Sequence, residues 1–303
     1  MTCQRPNKSI RLSLAQGMVC LLALLGSSAR SAGGALDLPF VLAMPAGKGP
    51  FPAIVVLHDC AGLGPRSSGA PWRWSSQLAA KGYITVAPDS FSTRGHPGGV
   101  CTDASPPRIS FEQRADDAYA ALAYLRTLPD VDPQRIAVMG GSHGGSSTLA
   151  AIVDAAVNSK RPGPRFAAAV ALYPGCGRTV GGWSVQRARD ARYRITGYSG
   201  AFKPLAPLLI LVGELDDWTP AEPCRRLAAA SQRAGYPVEI EVYAGAHHAF
   251  DSRAPVRFVA QRLNRNSPTG HGATTGGNAE AWAEAITRVE RFLAKHLTVS
   301  DAK

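Results

Sequence analysis

The sequence predicts an α/β fold, in which a mostly parallel β-sheet carries helices on both faces. Short apolar runs alternate along the 303-residue chain with segments of helical periodicity, an order typical of such a sheet. The first five runs are apolar almost throughout, as buried parallel strands are, and the last alternates, as a less covered strand near a sheet edge does. The strand candidates are 53–58, 83–87, 136–140, 167–172, 208–213 and 238–243.

Helical patterns fill the intervals between these strands. Apolar residues recur at spacings of three and four over 111–125, and Ser110 with Gln113 gives a capping-box pattern at the start of this segment. A second helical pattern runs over 74–82 and stops at a glycine. A long amphipathic pattern over 282–297 predicts a helix near the C-terminus.

The first 31 residues have a different character from the rest. Three basic residues precede an apolar run over 12–25, and small residues follow it. This order is that of a secretory signal peptide, and the run is shorter than the roughly 20 residues that a membrane-spanning helix needs. We therefore predict a signal peptide over 1–31 and a single domain over 32–303, exported to the periplasm or the extracellular space without stable membrane insertion after cleavage.

Two segments fit neither pattern. The segment 175–203 is rich in Gly and Arg, and we expect it to line a substrate pocket through Trp183 and Tyr193. The segment 264–277 is a loop by composition.

The chain is basic and carries a formal net charge of +11. Its arginines are scattered, with no long basic run and no interleaved aromatic residues, which argues against a nucleic-acid partner.

Beyond the predicted signal peptide lie Cys60, Cys101, Cys176 and Cys224, and an even number in an exported chain favours disulfides, with three possible pairings. No Cys-x-x-Cys or His-x-x-x-His spacing supports a metal site.

The strongest chemical signal is a Gly-x-Ser-x-Gly sequence centred on Ser142, between a buried strand and a helix. This is the pattern of a nucleophile elbow, a sharp turn that exposes the serine hydroxyl at a helix N-terminus. Gly140 and Gly144 remove side chains that would clash in such a turn. The sequence therefore predicts Ser142 as a nucleophile.

A serine nucleophile needs a base, and the base needs a carboxylate to orient it. Two later strands end in suitable residues, at the sheet edge where ligands bind in open α/β folds. We predict Asp216 as the acid and His248 as the base, with Asp217 and His247 as the alternatives.

Acyl transfer also needs hydrogen-bond donors for the oxyanion. The residue after the nucleophile, His143, supplies one main-chain N–H, and the loop after the first long strand supplies the second, which we assign to Cys60. His58 and Asp59 are interpreted as residues that shape this loop.

Further short motifs accompany the elbow, the acid and the base along the chain. They are Pro50-x-Pro-Ala-Ile-Val-Val-Leu-His-Asp-Cys-x-Gly62, Ala87-Pro-Asp-Ser-Phe91, Val131-Asp-Pro-x-Arg-Ile136, Gly140-x-Ser-x-Gly-Gly145, Gly213-Glu-x-Asp-x-x-x-Pro220 and His248-x-Phe250.

Together these motifs resemble the dienelactone hydrolase family of the α/β-hydrolase superfamily. The resemblance implies one compact domain with little or no lid, no cofactor and a small ester substrate. The family's founding enzymes use a cysteine nucleophile, where this sequence has Ser142, and hold an anionic lactone with two arginines. Arg94 lies near one of those arginine positions, whereas Ser252 stands at the other. We expect Arg94 and Trp218 to contact the substrate.

The fold that this resemblance implies also favours one disulfide pairing. Its strands that end near Cys60 and near Ala87 are neighbours, as are those that end near Leu172 and Gly213. Disulfides Cys60–Cys101 and Cys176–Cys224 would each join adjacent loops on the catalytic face.

The sequence thus predicts a serine carboxylic ester hydrolase that acts through an acyl-enzyme on a small ester or lactone. A peptidase or polyester depolymerase with the same triad is one alternative, and a catalytically silent binding protein with a hydrolase fold is another. The sequence leaves the oligomeric state open.

Overall fold

A seven-stranded sheet forms the centre of the structure, a computed structural model that describes residues 36–102, 108–153 and 165–297. The predicted signal peptide lies outside the described residues. In spatial order the strands are β1 (Phe40–Ala43), β3 (Ile84–Pro88), β2 (Phe51–Leu57), β4 (Val131–Gly141), β5 (Ala168–Leu172), β8 (Leu208–Gly213) and β9 (Val238–Tyr243).

All neighbouring strands in this sheet are parallel except β1, which pairs antiparallel with β3. The six predicted strands are confirmed, and the alternating one, β9, lies at a sheet edge. The sequence analysis missed β1. Its four residues carry no alternation of their own, and they become a strand through pairing with β3.

Helices cover the sheet and pack against its apolar strands. The apolar side chains of β2, β4, β5 and β8 are almost completely buried, as strands covered on both faces are. The helices are α1 (Ala70–Ala80), α2 (Phe111–Leu125), α3 (His143–Ala151), α4 (Ala221–Arg233) and α5 (Ala279–Leu297), with a short 3₁₀ helix at Ser92–Arg94.

The predicted capping box at the start of α2 is present. The Ser110 hydroxyl accepts a hydrogen bond from the Gln113 main-chain N–H at 3.1 Å, and the Gln113 side-chain oxygen accepts one from the Ser110 N–H at 2.9 Å. These two bonds fix the residue at which α2 begins.

The first of the two segments without a helical or strand prediction contains a hairpin, and the second contains one strand of another hairpin. Strands β6 (Trp183–Arg187) and β7 (Ile195–Gly200) pair within the first segment, and β10 (Arg257–Leu263) pairs with β11 (His271–Thr275). The prediction of a loop over 264–277 is therefore wrong for β11. Its residues, His-Gly-Ala-Thr-Thr, have a loop-like composition, and the hydrogen bonds to β10 make them a strand.

Both predicted disulfides, Cys60–Cys101 and Cys176–Cys224, are present. Cys60–Cys101 joins the connections that follow β2 and β3, and Cys176–Cys224 joins the connection after β5 to the first turn of α4, all at the carboxyl edge of the sheet. Among the helices of the described residues, none has the length and apolar character needed to cross a bilayer.

Candidate active site

Ser142 lies in the turn between β4 and α3, at the carboxyl edge of the sheet. Its backbone is strained, with φ 54° and ψ −112°. A Cβ at position 140 would lie 2.6 Å from the Gly144 carbonyl carbon, and a Cβ at position 144 would lie 2.1 Å from the Leu57 carbonyl oxygen. Glycine is therefore required on both sides of the serine, as the elbow pattern predicts.

A chain of hydrogen bonds joins three of the predicted residues. The Ser142 Oγ lies 2.9 Å from His248 Nε2, and His248 Nδ1 lies 2.8 Å from Asp216 Oδ2. The second carboxylate oxygen of Asp216 accepts main-chain N–H bonds from Trp218 at 2.9 Å and Thr219 at 2.7 Å. The three side chains come from connections after β4, β8 and β9, and all are nearly buried.

The two alternatives named in the sequence have other partners. The carboxylate of Asp217 accepts hydrogen bonds from the main-chain N–H and the hydroxyl of Thr274, both at 2.8 Å, and so joins the turn after β8 to β11. His247 Nδ1 lies 3.0 Å from the Leu215 carbonyl oxygen. Neither residue is hydrogen-bonded to Ser142 or His248, and the hydrogen-bonded chain therefore consists of Ser142, His248 and Asp216.

A pocket of about 260 Å³ opens beside Ser142, and its wall includes both predicted oxyanion donors, Cys60 and His143. Among the described residues, no acceptor is bonded to the main-chain N–H of either residue. Cys60 is held in place by its disulfide and by its carbonyl oxygen, which accepts from the Val100 N–H at 2.7 Å. Both donors are therefore free to bind an oxygen of a ligand.

Trp218, which we expect to contact the substrate, also lines this pocket. Its indole N–H donates to the Leu263 carbonyl oxygen at 2.8 Å, and its ring centroid lies 4.7 Å from that of His248. The guanidinium of Arg262 lies 5.1 Å from the centroid of the Trp218 ring. Trp218 therefore connects the β10–β11 hairpin to His248.

Arg94 is not among the residues that line the pocket. It forms a two-point ion pair with Asp117, at 2.7 and 2.6 Å, and also donates to the Ser90 carbonyl oxygen at 2.7 Å. The predicted contact of Arg94 with the substrate is therefore corrected, because these partners occupy its guanidinium away from the pocket.

The segment 175–203 does contribute to the pocket, but not through the aromatic residues predicted. Trp183 is buried, with its indole N–H bonded to the Cys176 carbonyl oxygen at 3.0 Å, and Tyr193 is exposed away from the pocket. The segment supplies Arg178 and Arg187 instead. No local pattern in the sequence distinguishes these two from the other scattered arginines.

The β10–β11 hairpin adds a third arginine, Arg265, to the pocket wall. Arg178 pairs with Glu112 at 3.2 Å, whereas no carboxylate of the described residues lies within ion-pair distance of Arg187 or Arg265. The Arg187 guanidinium donates to the Asn266 side-chain oxygen at 3.0 Å, which ties the two hairpins together across the pocket. The wall of the pocket therefore carries net positive charge.

The carboxyl-edge position of the site, the strained elbow and the parallel sheet together define an α/β-hydrolase. The sequence model of the dienelactone hydrolase family matches residues 38–297, and the chain belongs to this family. It is accordingly a hydrolase that acts on ester bonds.

Individual relatives agree with this assignment. A candidate carboxymethylenebutenolidase of Methylorubrum extorquens is 30% identical over 70% of this chain and 68% of its own length. Among solved structures, a candidate dienelactone hydrolase of Klebsiella pneumoniae has a TM-score of 0.59 at 19% identity, covering 85% of this chain and 93% of its own. Butyrate-bound esterase 2 of Thermogutta terrifontis has a TM-score of 0.58 at 18% identity, covering 88% and 92%. The two solved structures share the fold.

Proposed function

We propose that this protein is an exported serine esterase that hydrolyses small carboxylic esters or lactones through an acyl-enzyme. The observation that carries this proposal is the hydrogen-bonded chain from Ser142 through His248 to Asp216. A serine hydroxyl is a weak nucleophile, and a neutral imidazole within hydrogen-bond distance can take its proton during attack.

In the first half-reaction, Ser142 Oγ attacks the acyl carbon while its proton moves to His248 Nε2. Asp216 accepts the Nδ1–H bond, which fixes the tautomer and stabilises the imidazolium that forms. When the tetrahedral intermediate collapses, the carbon–oxygen bond to the alcohol breaks and His248 returns the proton to the leaving oxygen. In the second half-reaction, water attacks the acyl-enzyme by the same proton transfers, and the acid is released.

The main-chain N–H groups of Cys60 and His143 are proposed to bind the oxyanion of both tetrahedral intermediates. Both groups border the pocket at the serine, and their hydrogen-bonding capacity is not used by described residues. Donors aimed at developing negative charge are each worth about 3–4 kcal/mol in hydrolases of this kind.

The volume of the pocket and the charge of its wall indicate the size and the charge of the substrate. The pocket volume of about 260 Å³ is at the low end for small-molecule sites, which supports a small ester or lactone over a bulky one. Arg187 and Arg265 in its wall have no acidic partner among the described residues. We therefore propose a preference for esters that carry a negative charge, held by arginines other than the one that the sequence suggested.

Export of the protein is part of the proposal. It rests on the signal-peptide pattern of residues 1–31 and on the two disulfides, which persist in oxidising compartments.

Hydrolysis of p-nitrophenyl acetate and butyrate by the protein and by Ser142→Ala tests the proposed function. We expect the variant to lose activity by about 10³-fold or more and to lose labelling by a fluorophosphonate probe. Ser146→Ala, which removes another hydroxyl of the pocket wall, is the matched control and should still be labelled at Ser142. Equal activity of Ser142→Ala and the parent protein would refute the serine mechanism.

A further inference from the structure

Arg114 is a completely buried cation that contacts both segments proposed to carry the oxyanion donors. It lies on α2 with 0% of its surface exposed. One guanidinium nitrogen donates to the His58 carbonyl oxygen at 2.7 Å, and another lies 3.0 Å from His143 Nδ1. The guanidinium carbon also lies 4.9 Å from the centroid of the Phe91 ring. One side chain thus contacts the loop that carries the first donor and the residue that carries the second.

The environment of Arg114 is unusual for a buried arginine, which is normally paired with a carboxylate. No carboxylate of the described residues lies within ion-pair distance of it, and its Nε is buried without a hydrogen-bond partner there. The nearby Asp117 uses both oxygens to bind Arg94, and Asp59 accepts the Ala61 N–H at 2.8 Å. The positive charge of Arg114 is therefore not cancelled by direct contact.

Arg114 is charged at neutral pH in spite of its burial. Loss of hydration lowers the pKa of Arg114 to about 9, and the acidic groups around it act in the opposite direction. Burial, and next the charge of Arg114, hold the pKa of His143 well below its usual value. His143 is therefore neutral, and its Nδ1 accepts the hydrogen bond from the guanidinium.

The two contacts of Arg114 join the backbone segments that form the oxyanion hole. His58 lies two residues before Cys60, and its carbonyl oxygen packs closely on the elbow: a Cβ at position 144 would lie 2.6 Å from it. By binding this carbonyl and the His143 ring together, Arg114 fixes the first loop relative to the elbow. Misplacing one donor by a fraction of an ångström weakens its bond to the oxyanion.

We propose that Arg114 is a positioning residue of the oxyanion hole and that its buried charge stabilises the oxyanion. This inference rests on the proposed function. Negative charge develops on the substrate oxygen only in the tetrahedral states, and a buried cation acts on it with little screening by water. Arg114 therefore favours the transition state and leaves substrate binding nearly unchanged.

Three substitutions separate this role from a structural one. Arg114→Gln removes the charge and retains one side-chain donor, and Arg114→Lys retains the charge. Arg126→Gln is the matched control, because Arg126 caps the other end of α2 and also donates to a carbonyl oxygen, that of Pro133. Each variant is compared with the parent protein by its melting temperature, by kcat and KM on p-nitrophenyl acetate, and by its affinity for phenylboronic acid, which mimics the tetrahedral adduct.

We expect Arg114→Gln to lower kcat and the affinity for the boronic acid in parallel, by about 10- to 100-fold, with KM changed less than about threefold. Arg114→Lys should recover part of both losses, and Arg126→Gln should resemble the parent protein. A folded Arg114→Gln variant with the kcat and boronic-acid affinity of the parent protein would overturn the proposal. So would a variant in which KM rises by as large a factor as kcat falls.

If Arg114→Gln does not fold, His143→Ala and Arg114→Lys decide the question. His143→Ala removes one contact of the guanidinium and keeps the main-chain donor, so kcat should fall while KM does not. Parent-like kcat in both variants would overturn the proposal. The Ser142→Ala variant, assayed alongside, distinguishes failure of the proposed function from failure of the proposed role of Arg114. If Ser142→Ala remains active, the proposed function fails. If Ser142→Ala is inactive while the Arg114 and His143 variants keep the kcat of the parent protein, only the role of Arg114 fails.

Discussion

The hydroxyl of Thr219 lies 3.0 Å from Nδ1 of His248, on the side of the imidazole that faces Asp216. The same hydroxyl oxygen lies 2.9 Å from Asp216 Oδ2 and 3.0 Å from the Tyr173 carbonyl oxygen. The Thr219 main-chain N–H also binds Asp216. Thr219 therefore contacts both partners of the hydrogen bond between Asp216 and His248. Neither the family motifs nor the elbow pattern indicated this residue.

We expect Thr219→Val, which replaces the hydroxyl with a methyl group, to lower kcat by about 3- to 10-fold, the effect of about 1 kcal/mol from one hydrogen bond. Thr219→Ser keeps the hydroxyl and should retain most of the activity. Steady-state kinetics on p-nitrophenyl butyrate across pH 5–9 would measure both variants. Full activity of Thr219→Val would show that the two remaining bonds of the carboxylate suffice to orient the base.

The paired residues at the acid and base positions predict opposite results within each pair. Asp216→Asn and His248→Gln should each reduce kcat by about 10³-fold or more, because His248 takes the serine proton and Asp216 orients His248. His247→Gln should keep its activity. Asp217→Asn should also keep most activity but unfold more readily in urea, because Asp217 ties β11 to the turn after β8. A large loss of kcat in either Asp217→Asn or His247→Gln would reverse the assignment for that pair.

The arginines of the pocket wall predict a charge preference. The p-nitrophenyl monoester of succinate should have a higher kcat/KM than p-nitrophenyl butyrate, and added salt should reduce the difference because Arg265 is exposed. Arg265→Gln should lower kcat/KM for the charged ester by about 3- to 10-fold and change the neutral one less than about twofold. Arg257→Gln, on the same hairpin but outside the pocket wall, is the control. Equal effects on both esters would show that the arginine does not recognise charge.

The two disulfides predict different consequences when they are removed. They close loops of similar length, with sequence separations of 41 and 48, so their effects on the unfolded chain should be alike at about 2–5 kcal/mol. Only Cys60 carries a proposed oxyanion donor. Replacing Cys60 and Cys101 by serine should therefore lower kcat by about 10-fold or more at a temperature where the variant is folded. Replacing Cys176 and Cys224 should lower the melting temperature with a smaller change in kcat, and the reverse pattern would contradict the assignment.

Two buried histidines predict how stability depends on pH. Burial, and secondly the charge of Arg114, hold the pKa of both His58 and His143 well below the usual value of 6.5. Below pH 6.5 the unfolded chain binds protons that the folded protein does not, so the free energy of unfolding should fall as pH falls. The slope should reach up to about 1.4 kcal/mol per pH unit for each histidine.

Urea unfolding at steps between pH 7 and pH 5 would measure this slope. His58→Gln should make it shallower by roughly the contribution of one proton. A free energy of unfolding that does not change over this interval would contradict the assignment of both histidines as neutral in the folded protein.

The sequence alone predicted the six parallel strands of the sheet and the sharp turn at Ser142. Buried parallel strands are apolar almost throughout, and that pattern is local, so β2, β3, β4, β5 and β8 were all predicted. The elbow around Ser142 was also predicted from a local pattern, because its strained turn requires glycine two residues before and two residues after the serine. The resemblance to a known family added the disulfide pairing that cysteine spacing left open.

Only the tertiary structure decided the choice within each adjacent pair and the composition of the pocket. Asp216 and Asp217 are chemically identical neighbours, and what distinguishes them is which carboxylate faces His248 and which binds Thr274. Arg178 and Arg187 come from the segment 175–203, Arg265 comes from the distant β10–β11 hairpin, and no local pattern connects the three.

The same holds for Arg114, which lies on the apolar face of α2, four residues before Ala118, and whose partners no local pattern indicates. Its contact with His58 spans 56 positions and that with His143 spans 29. A local pattern indicates which side chains prefer burial, and such patterns therefore predicted the strands, the helices and the elbow. They do not report which distant polar groups meet, because that depends on how the strands and helices pack in three dimensions.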